Sequence, residues 1–386
     1  MDTEVGKGKK ARIAYGLDDI AIVPSRRTRD AAEIDITTKL GSLELQLPLL
    51  ASAMDGVVNV SIATQIGKLG GLGVLNLEGL QTRYADADKI LAEIATFEKK
   101  EATRKLQEIY KEPVKEELIG MCIEEIKKSG VLAAASLTPQ KVEQYYKIAL
   151  EAGLDLLVIQ GTVVSAEHVS NISTPLDLNA FIGGLPIPVV VGGCCSYSTA
   201  LHLMRTGAVG VLVGVGPGAA CTTRRVLGIG VPQATAIADV AAARADYLNE
   251  SGRYVSVIAD GGMRNGGDIS KAIACGADAV MIGSPIAGAK EAPGKGFHWG
   301  MATFHPELPR GTRIEVGQKA TLKEILVGPA YENDGTLNLF GALKTSMATC
   351  GYENIKAFQK AEVMIAPALQ TEGKAQQQAQ KVGMGS

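Results

Sequence analysis

Eight short, nearly continuous apolar runs recur along this chain, at 48–54, 71–77, 132–137, 156–161, 188–193, 210–216, 255–262 and 279–284, and most end in small residues. Runs without polar alternation suit strands buried on both faces, as in a parallel sheet wrapped by helices. Helical stretches separate them. One covers 139–152, with Thr138 as its expected N-cap and Gly153 at its end; others cover 196–206, closed by Gly207, 233–250, and 267–275, closed by Gly276. Eight strand–helix alternations within 386 residues predict an α/β protein with a single (β/α)8 TIM barrel. An open doubly wound sheet is the alternative.

The barrel domain is expected to span 1–370. Two stretches exceed a bare barrel. Residues 84–128 are charged and helical, and are expected to pack outside it. Residues 286–340 hold Gly, Pro and Arg with little periodicity, and are expected to form an active-site flap. The Gln- and Ala-rich tail 371–386 is expected to fray.

Charge narrows the function classes. Lys+Arg 39 against Asp+Glu 41 leaves a net −2, so no global basic field points to nucleic acid or an anionic membrane. No apolar run is long enough to cross a bilayer, and the first residues lack a signal-peptide pattern. The expectation is a cytoplasmic protein whose six cysteines (Cys122, Cys194, Cys195, Cys221, Cys275, Cys350) are reduced thiols. No C-x-x-C pair occurs, and His168, His202, His298 and His305 show no zinc-like spacing, so no transition-metal site is expected. Gly is unusually frequent at 45, and the glycines cluster where apolar runs end, which suits loops whose backbone approaches a ligand.

Ligands of such barrels sit at the C-terminal strand ends. The sixth run continues into Gly214-Val215-Gly216-Pro217-Gly218-Ala219-Ala220-Cys221-Thr222-Thr223-Arg224. Glycines at alternate positions expose backbone N–H and C=O groups, the former suited to phosphate and the latter to a monovalent cation. The carbonyls of Gly216, Gly218 and Cys221 are candidates for holding such a cation. Cys221, beside N–H dipoles and Arg224, is a candidate nucleophile, and Thr223 a candidate proton carrier; a tight turn with a buried Cys is the plainer reading. The seventh run ends in Asp260-Gly261-Gly262, suited to ribose hydroxyls and phosphate or, more plainly, to an Asp capping a turn. The eighth ends in Gly283-Ser284, at the position where phosphate sites recur in these barrels.

Taken together, these residues resemble the inosine-5′-monophosphate dehydrogenase / guanosine-5′-monophosphate reductase family. The resemblance spans about 11–360: Asp18-Asp19-Ile20, Val23-Pro24, 48–55, 216–224, Gly230-Val231-Pro232-Gln233, Asp260-Gly261-Gly262, Gly267-Asp268-Ile269 and Gly283-Ser284 follow in order. It implies a barrel that is usually tetrameric, a purine 5′-monophosphate at the strand ends, and a nicotinamide cofactor stacked on its base. Carried over by position, Cys221 attacks C2 of the purine and Thr223 handles a proton. Asp260 holds the ribose diol. Gly262, Gly283 and Ser284 hold phosphate, Ser52 and Met54 line the nucleotide site, Gly218 belongs to the substrate-binding set, and Gly300 and Met301 meet the base.

Departures from the family pattern guide the rest. Residues 78–131 are too short for the regulatory nucleotide-binding module of typical dehydrogenases. Ala219 stands where relatives carry a phosphate-binding Ser, and Asn76-Leu77 where they often carry His-Lys. The dehydrogenase hydrolyses its covalent adduct with an Arg-Tyr pair on the flap; Arg310 and Arg313 lie there, but neither precedes Tyr. Glu315 best matches the flap Glu that works with the Thr, ahead of Glu307 and Glu324, though a solvated loop carboxylate is its plainer reading. The sequence thus points to GMP reduction, with NADPH implied by the reductase resemblance alone. The alternatives are an NAD-dependent IMP dehydrogenase using Arg310 or Arg313, and a non-catalytic purine-nucleotide-binding protein.

Overall fold

A computed structural model describes residues 2–171, 175–301, 312–368 and 371–385. Its centre is a closed barrel of eight parallel strands in chain order: β1 (Leu49–Ala51), β2 (Leu72–Asn76), β3 (Ala134–Leu137), β4 (Leu156–Gln160), β5 (Val189–Cys194), β6 (Gly210–Val213), β7 (Ser256–Asp260) and β8 (Ala279–Ile282). Each coincides with one of the eight apolar runs, β5 extending one residue past its run to Cys194, and closure between β8 and β1 excludes the open sheet.

The apolar runs are continuous because both faces of every strand are buried, and the two faces divide with period two. Leu50, Leu72, Val74, Ala134, Leu156, Val158, Val190, Leu212, Ile258, Ala279 and Met281 fill the barrel interior. Their neighbours, among them Leu49, Leu75, Ala135, Leu157, Val191, Val211, Val257 and Val280, pack outward against the helices. Leu40 and Leu45 join the interior cluster from a hairpin, Thr38–Leu40 with Leu43–Leu45, and Ser256 Oγ donates to the Lys39 carbonyl at 2.7 Å. That hairpin plugs the N-terminal end of the barrel, leaving the opposite end for a ligand.

Helix ends follow local chemistry. Ser196 caps Tyr197–Arg205 by accepting the Thr199 N–H. Gly153, Gly207 and Gly276 turn the chain at φ +90, +92 and +117. Thr138 does not cap its helix, which covers Val142–Glu151 after Lys141. Its backbone N–H is instead bound to Glu78 at 2.7 Å, which draws the residue into the barrel mouth.

The stretch 84–128 divides differently from the expectation. Glu116–Lys128 packs against Val60–Lys68 and Val142–Glu151 and is the regular helix between β2 and β3. The true insertion is Ala87–Thr96 and Ala102–Ile109, which with Tyr110 forms a separate small core around Trp299 and Met301. The segment 286–340 is also more regular than expected among the described residues. It contains an antiparallel pair, Phe297–His298 with Ile314–Glu315, and a helix, Leu322–Val327, with a Thr321/Glu324 capping box. The tail holds a short exposed helix, Ala375–Gln380, where fraying was expected. Among the described residues no helix is long and apolar enough to cross a membrane.

Candidate active site

The barrel's period of two continues one layer beyond its apolar interior, and there the inward positions turn polar or bare. Ser52, Asn76, Ser136, Gln160, Gly214, Asp260 and Gly283 occupy that layer and form the floor of a cleft at the C-terminal strand ends. The cleft encloses ≈ 1730 Å³, its open mouth included.

One wall is the loop after β6. Gly216 turns it at φ +85, and a Cβ there would meet the Arg224 side chain. Arg224 spans the loop, donating to the Val231 carbonyl at 2.8 Å and the Val215 carbonyl at 3.4 Å. The guanidinium is therefore a brace rather than the partner for Cys221 that its sequence position suggests. The Cys221 N–H is bound to the Gly218 carbonyl at 3.0 Å, which closes the turn. Cys221 is exposed at the mouth, with its Sγ 3.1 Å from Oγ1 of the buried Thr223. The other five cysteines differ: burial pushes Cys122 and Cys275 up to about 11 and Cys194 up to about 12, and raises Cys195 and Cys350 as well.

The β7–β8 side carries Asp260, Gly262, Gly283 and Ser284 together in the cleft lining. Burial pushes the Asp260 carboxyl up to about 7, opposed by a hydrogen bond from Gln160 Nε2 at 3.2 Å. Gln160→Leu is therefore expected to move the pH midpoint governing nucleotide KM upward, read from KM between pH 5.5 and 8.5, a range set about the raised carboxyl. Gln233, in the Gly-Val-Pro-Gln stretch, ties the ends of β6 and β7 by donating to the carbonyls of Val213 (2.6 Å) and Asp260 (3.3 Å). Ser284 Oγ lies 2.9 Å from Nε2 of the buried His298. Burial pulls His298 down to about 4, so it is neutral near pH 7, and its Nδ1 has no hydrogen-bond partner among the described residues.

Across the barrel, at the ends of β2–β4, Asn76, Glu78, Thr138, Gly161 and Thr162 line the opposite wall. It is polar and separate from the Gly262–Gly283–Ser284 side, so these residues could hold a second ligand such as a nicotinamide nucleotide.

The structure brings Ser52, Met54, Gly216, Gly218, Cys221, Thr223, Asp260, Gly262, Gly283, Ser284, Gly300 and Met301 into one cleft. Glu315 is not among its lining residues and is exposed. Thr312 lines the cleft while Arg313 turns to the insertion, donating to the Ile94 and Phe97 carbonyls; alternation along this short strand puts Glu315 on the face of Arg313. Arg310, Glu307 and His305 lie outside the described residues. Gln160, Glu78 and His298 escaped the sequence reading. Inward parity along β4 would have found Gln160; no sequence signal marks His298.

A (β/α)8 barrel with an exposed thiol and a buried threonine at its mouth, facing a glycine- and serine-lined cradle, defines an oxidoreductase barrel of the nucleotide-binding kind. Residues 14–305 match the IMP dehydrogenase / GMP reductase domain, and the chain belongs to that family. It is 46% identical over 366 residues to an uncharacterized oxidoreductase of Mycolicibacterium smegmatis, covering 92% of this chain and 98% of that one. It is 32% identical to the inosine-5′-monophosphate dehydrogenase of Cryptosporidium parvum, covering 75% and 70%. The crystal structure of an IMP dehydrogenase/GMP reductase-like protein from Corynebacterium glutamicum superposes with a TM-score of 0.89 at 46% identity, covering 94% of this chain and 97% of that one.

Proposed function

We propose that this protein is a nicotinamide-dependent oxidoreductase acting at C2 of a purine nucleoside 5′-monophosphate, and that its principal reaction is oxidation of IMP to XMP with NAD. The carrying observation is the exposed Cys221 thiol 3.1 Å from Thr223 Oγ1 in the same cleft as Asp260, Gly262, Gly283 and Ser284. Asp260 accepts the ribose hydroxyls, while Gly262, Gly283 and Ser284, oriented by His298, take the phosphate. Cys221 Sγ adds to C2, Thr223 Oγ1 relays a proton, and water then cleaves the thioimidate, returning the thiol and releasing XMP. The nicotinamide, when bound, takes up the hydride lost from C2.

The named relative reported above is an IMP dehydrogenase, which favours this direction. With Arg313 bound to insertion carbonyls, Arg310 is the flap arginine left to activate water.

GMP reduction with NADPH is the second reading, favoured by the lack of an Arg-Tyr pair in 286–340. There Cys221 displaces ammonia from C2, and the thioimidate accepts hydride to give IMP. Activation by K⁺ through the Gly216, Gly218 and Cys221 carbonyls and assembly as a homotetramer complete the proposal.

The test is two parallel reactions followed by nicotinamide absorbance, with products separated by chromatography: IMP with NAD, and GMP with NADPH, each in K⁺ and in Na⁺. NADH and XMP from the first are expected. IMP and ammonia from the second would instead assign the reductase, and nucleotide binding without turnover in either would leave a binding protein.

A further inference from the structure

The insertion after β2 touches the cleft only through other residues, yet it grips both strands that lead to and from the flap. Tyr110, just after helix Ala102–Ile109, sits at the centre. Its hydroxyl accepts the Trp299 Nε1–H at 2.8 Å, lies 3.4 Å from Met301 Sδ, and donates to Asp55 Oδ2 at 2.5 Å. Asp55 also accepts the Leu80 N–H at 2.9 Å and directly follows Met54 on the β1 loop. Trp299 directly precedes Gly300 and Met301. One phenol hydroxyl therefore joins the two segments, 52–54 and 300–301, that flank the nucleotide half of the cleft.

Tyr110 is itself held firmly. Arg83 donates from Nη1 to its carbonyl at 3.1 Å and from Nε to the Glu78 carbonyl at 3.0 Å. Tyr84, by contrast, donates to the Ile109 carbonyl at 2.8 Å, a bond that involves neither the Tyr110 hydroxyl nor its partners Trp299, Met301 and Asp55. The second grip is independent of the first. Arg313, on the strand returning from the flap, stacks over Phe297 with 4.4 Å to the ring centroid, and satisfies the Ile94 and Phe97 carbonyls at the C-terminal end of helix Ala87–Thr96.

We propose that the 87–110 insertion is a docking platform for the segments 297–301 and 312–315, with Tyr110 as the positioning residue that sets Trp299–Met301 against the nucleotide. The proposal rests on the functional reading only for the identity of that nucleotide. Trp299 and Tyr110 are buried within the small core around Met301, so their hydrogen bond is largely shielded from water, and its loss frees the segment that carries Met301.

Trp299 is the only tryptophan of the chain, which gives the platform its own optical reporter. The test compares full-length wild type, Tyr110→Phe and Tyr84→Phe. Each is measured for tryptophan emission, acrylamide quenching, the emission change on adding IMP or GMP, and steady-state kinetics. Tyr84→Phe removes a hydrogen bond from the same insertion without touching the flap, and serves as the structural control. Tyr110→Phe is expected to shift Trp299 emission and raise its quenching in the free protein. It is also expected to lower kcat/KM for the nucleotide ~10–100-fold, while Tyr84→Phe stays at wild-type values. Wild-type emission, quenching and kinetics in Tyr110→Phe would overturn the proposal, as would equal changes in both variants. Should neither nucleotide bind the wild type, the functional reading fails, while emission and quenching of the free proteins still decide the platform.

Discussion

Cys221→Ala is expected to remove turnover by at least ~10³-fold while nucleotide binding stays within a few-fold of wild type. The asymmetry follows from the architecture. The groups that recognise the nucleotide, Asp260, Gly262, Gly283 and Ser284, come from β7 and β8, and none depends on the thiol. The reaction, in contrast, has no second nucleophile: Cys221 is the exposed thiol, and the remaining cysteines are deactivated by burial. Three readouts separate the two roles. Turnover reports the chemistry, calorimetric titration with IMP reports binding, and intact mass after quenching reports the adduct. Wild type quenched during turnover should carry one covalent nucleotide, and Cys221→Ala none. Limited alkylation should label Cys221 first, and IMP should protect it. Full turnover in Cys221→Ala would end the covalent mechanism. Loss of binding together with turnover would assign Cys221 to recognition rather than chemistry.

The division between strand ends and the loops that follow them also explains what could be read from the sequence. All eight strands were legible because burial on both faces leaves an unbroken apolar run, a signal that survives without any knowledge of neighbours. Gly153, Gly207 and Gly276 were legible because the turns that end helices are local chemistry. Thr138 looked equally local and was misleading. Its backbone is claimed by Glu78 at the end of the adjacent strand β2, 60 residues away in sequence, and a tertiary partner outweighs a cap. The cleft residues borne on glycine-rich motifs were found by motif, whereas Gln160 and Glu78 carry none. Gln160 follows from carrying the inward parity of β4 one step past its apolar part. Glu315 was assigned by its position in the flap motif; it is exposed and is not among the residues that line the cleft. The insertion's attachment to Trp299 depends on a contact across 189 residues, which no local pattern encodes.

Asp260→Asn is expected to weaken nucleotide binding by ~10²-fold or more and to flatten its pH dependence, because a carboxylate accepting hydroxyl hydrogen bonds contributes ~1.5–3 kcal/mol for each. In the wild type, burial has pushed the carboxyl up to about 7, so the acceptor form is lost as pH falls through that value. Nucleotide KM should therefore rise towards tenfold per pH unit below about 6, and binding near pH 6.5 should release a proton, since bound hydroxyls favour the anion. Titrations in buffers of different ionisation enthalpy read that proton directly. Stability should move the opposite way. With the folded carboxyl raised above its unfolded value, the stability it contributes is fully present below about 4 and is lost as pH rises through about 7. At pH 8 the charge is confined in the cleft floor at a cost of at most about 4 kcal/mol, which Asn does not incur. Asp260→Asn should thus melt higher than wild type at pH 8 and alike near pH 4, while binding nucleotide poorly at both. A variant that binds as wild type does, or whose KM keeps the wild-type pH profile, would remove Asp260 from the ribose. One that melts lower than wild type at pH 8 would show that the carboxylate is satisfied in the free protein rather than held ready for the nucleotide.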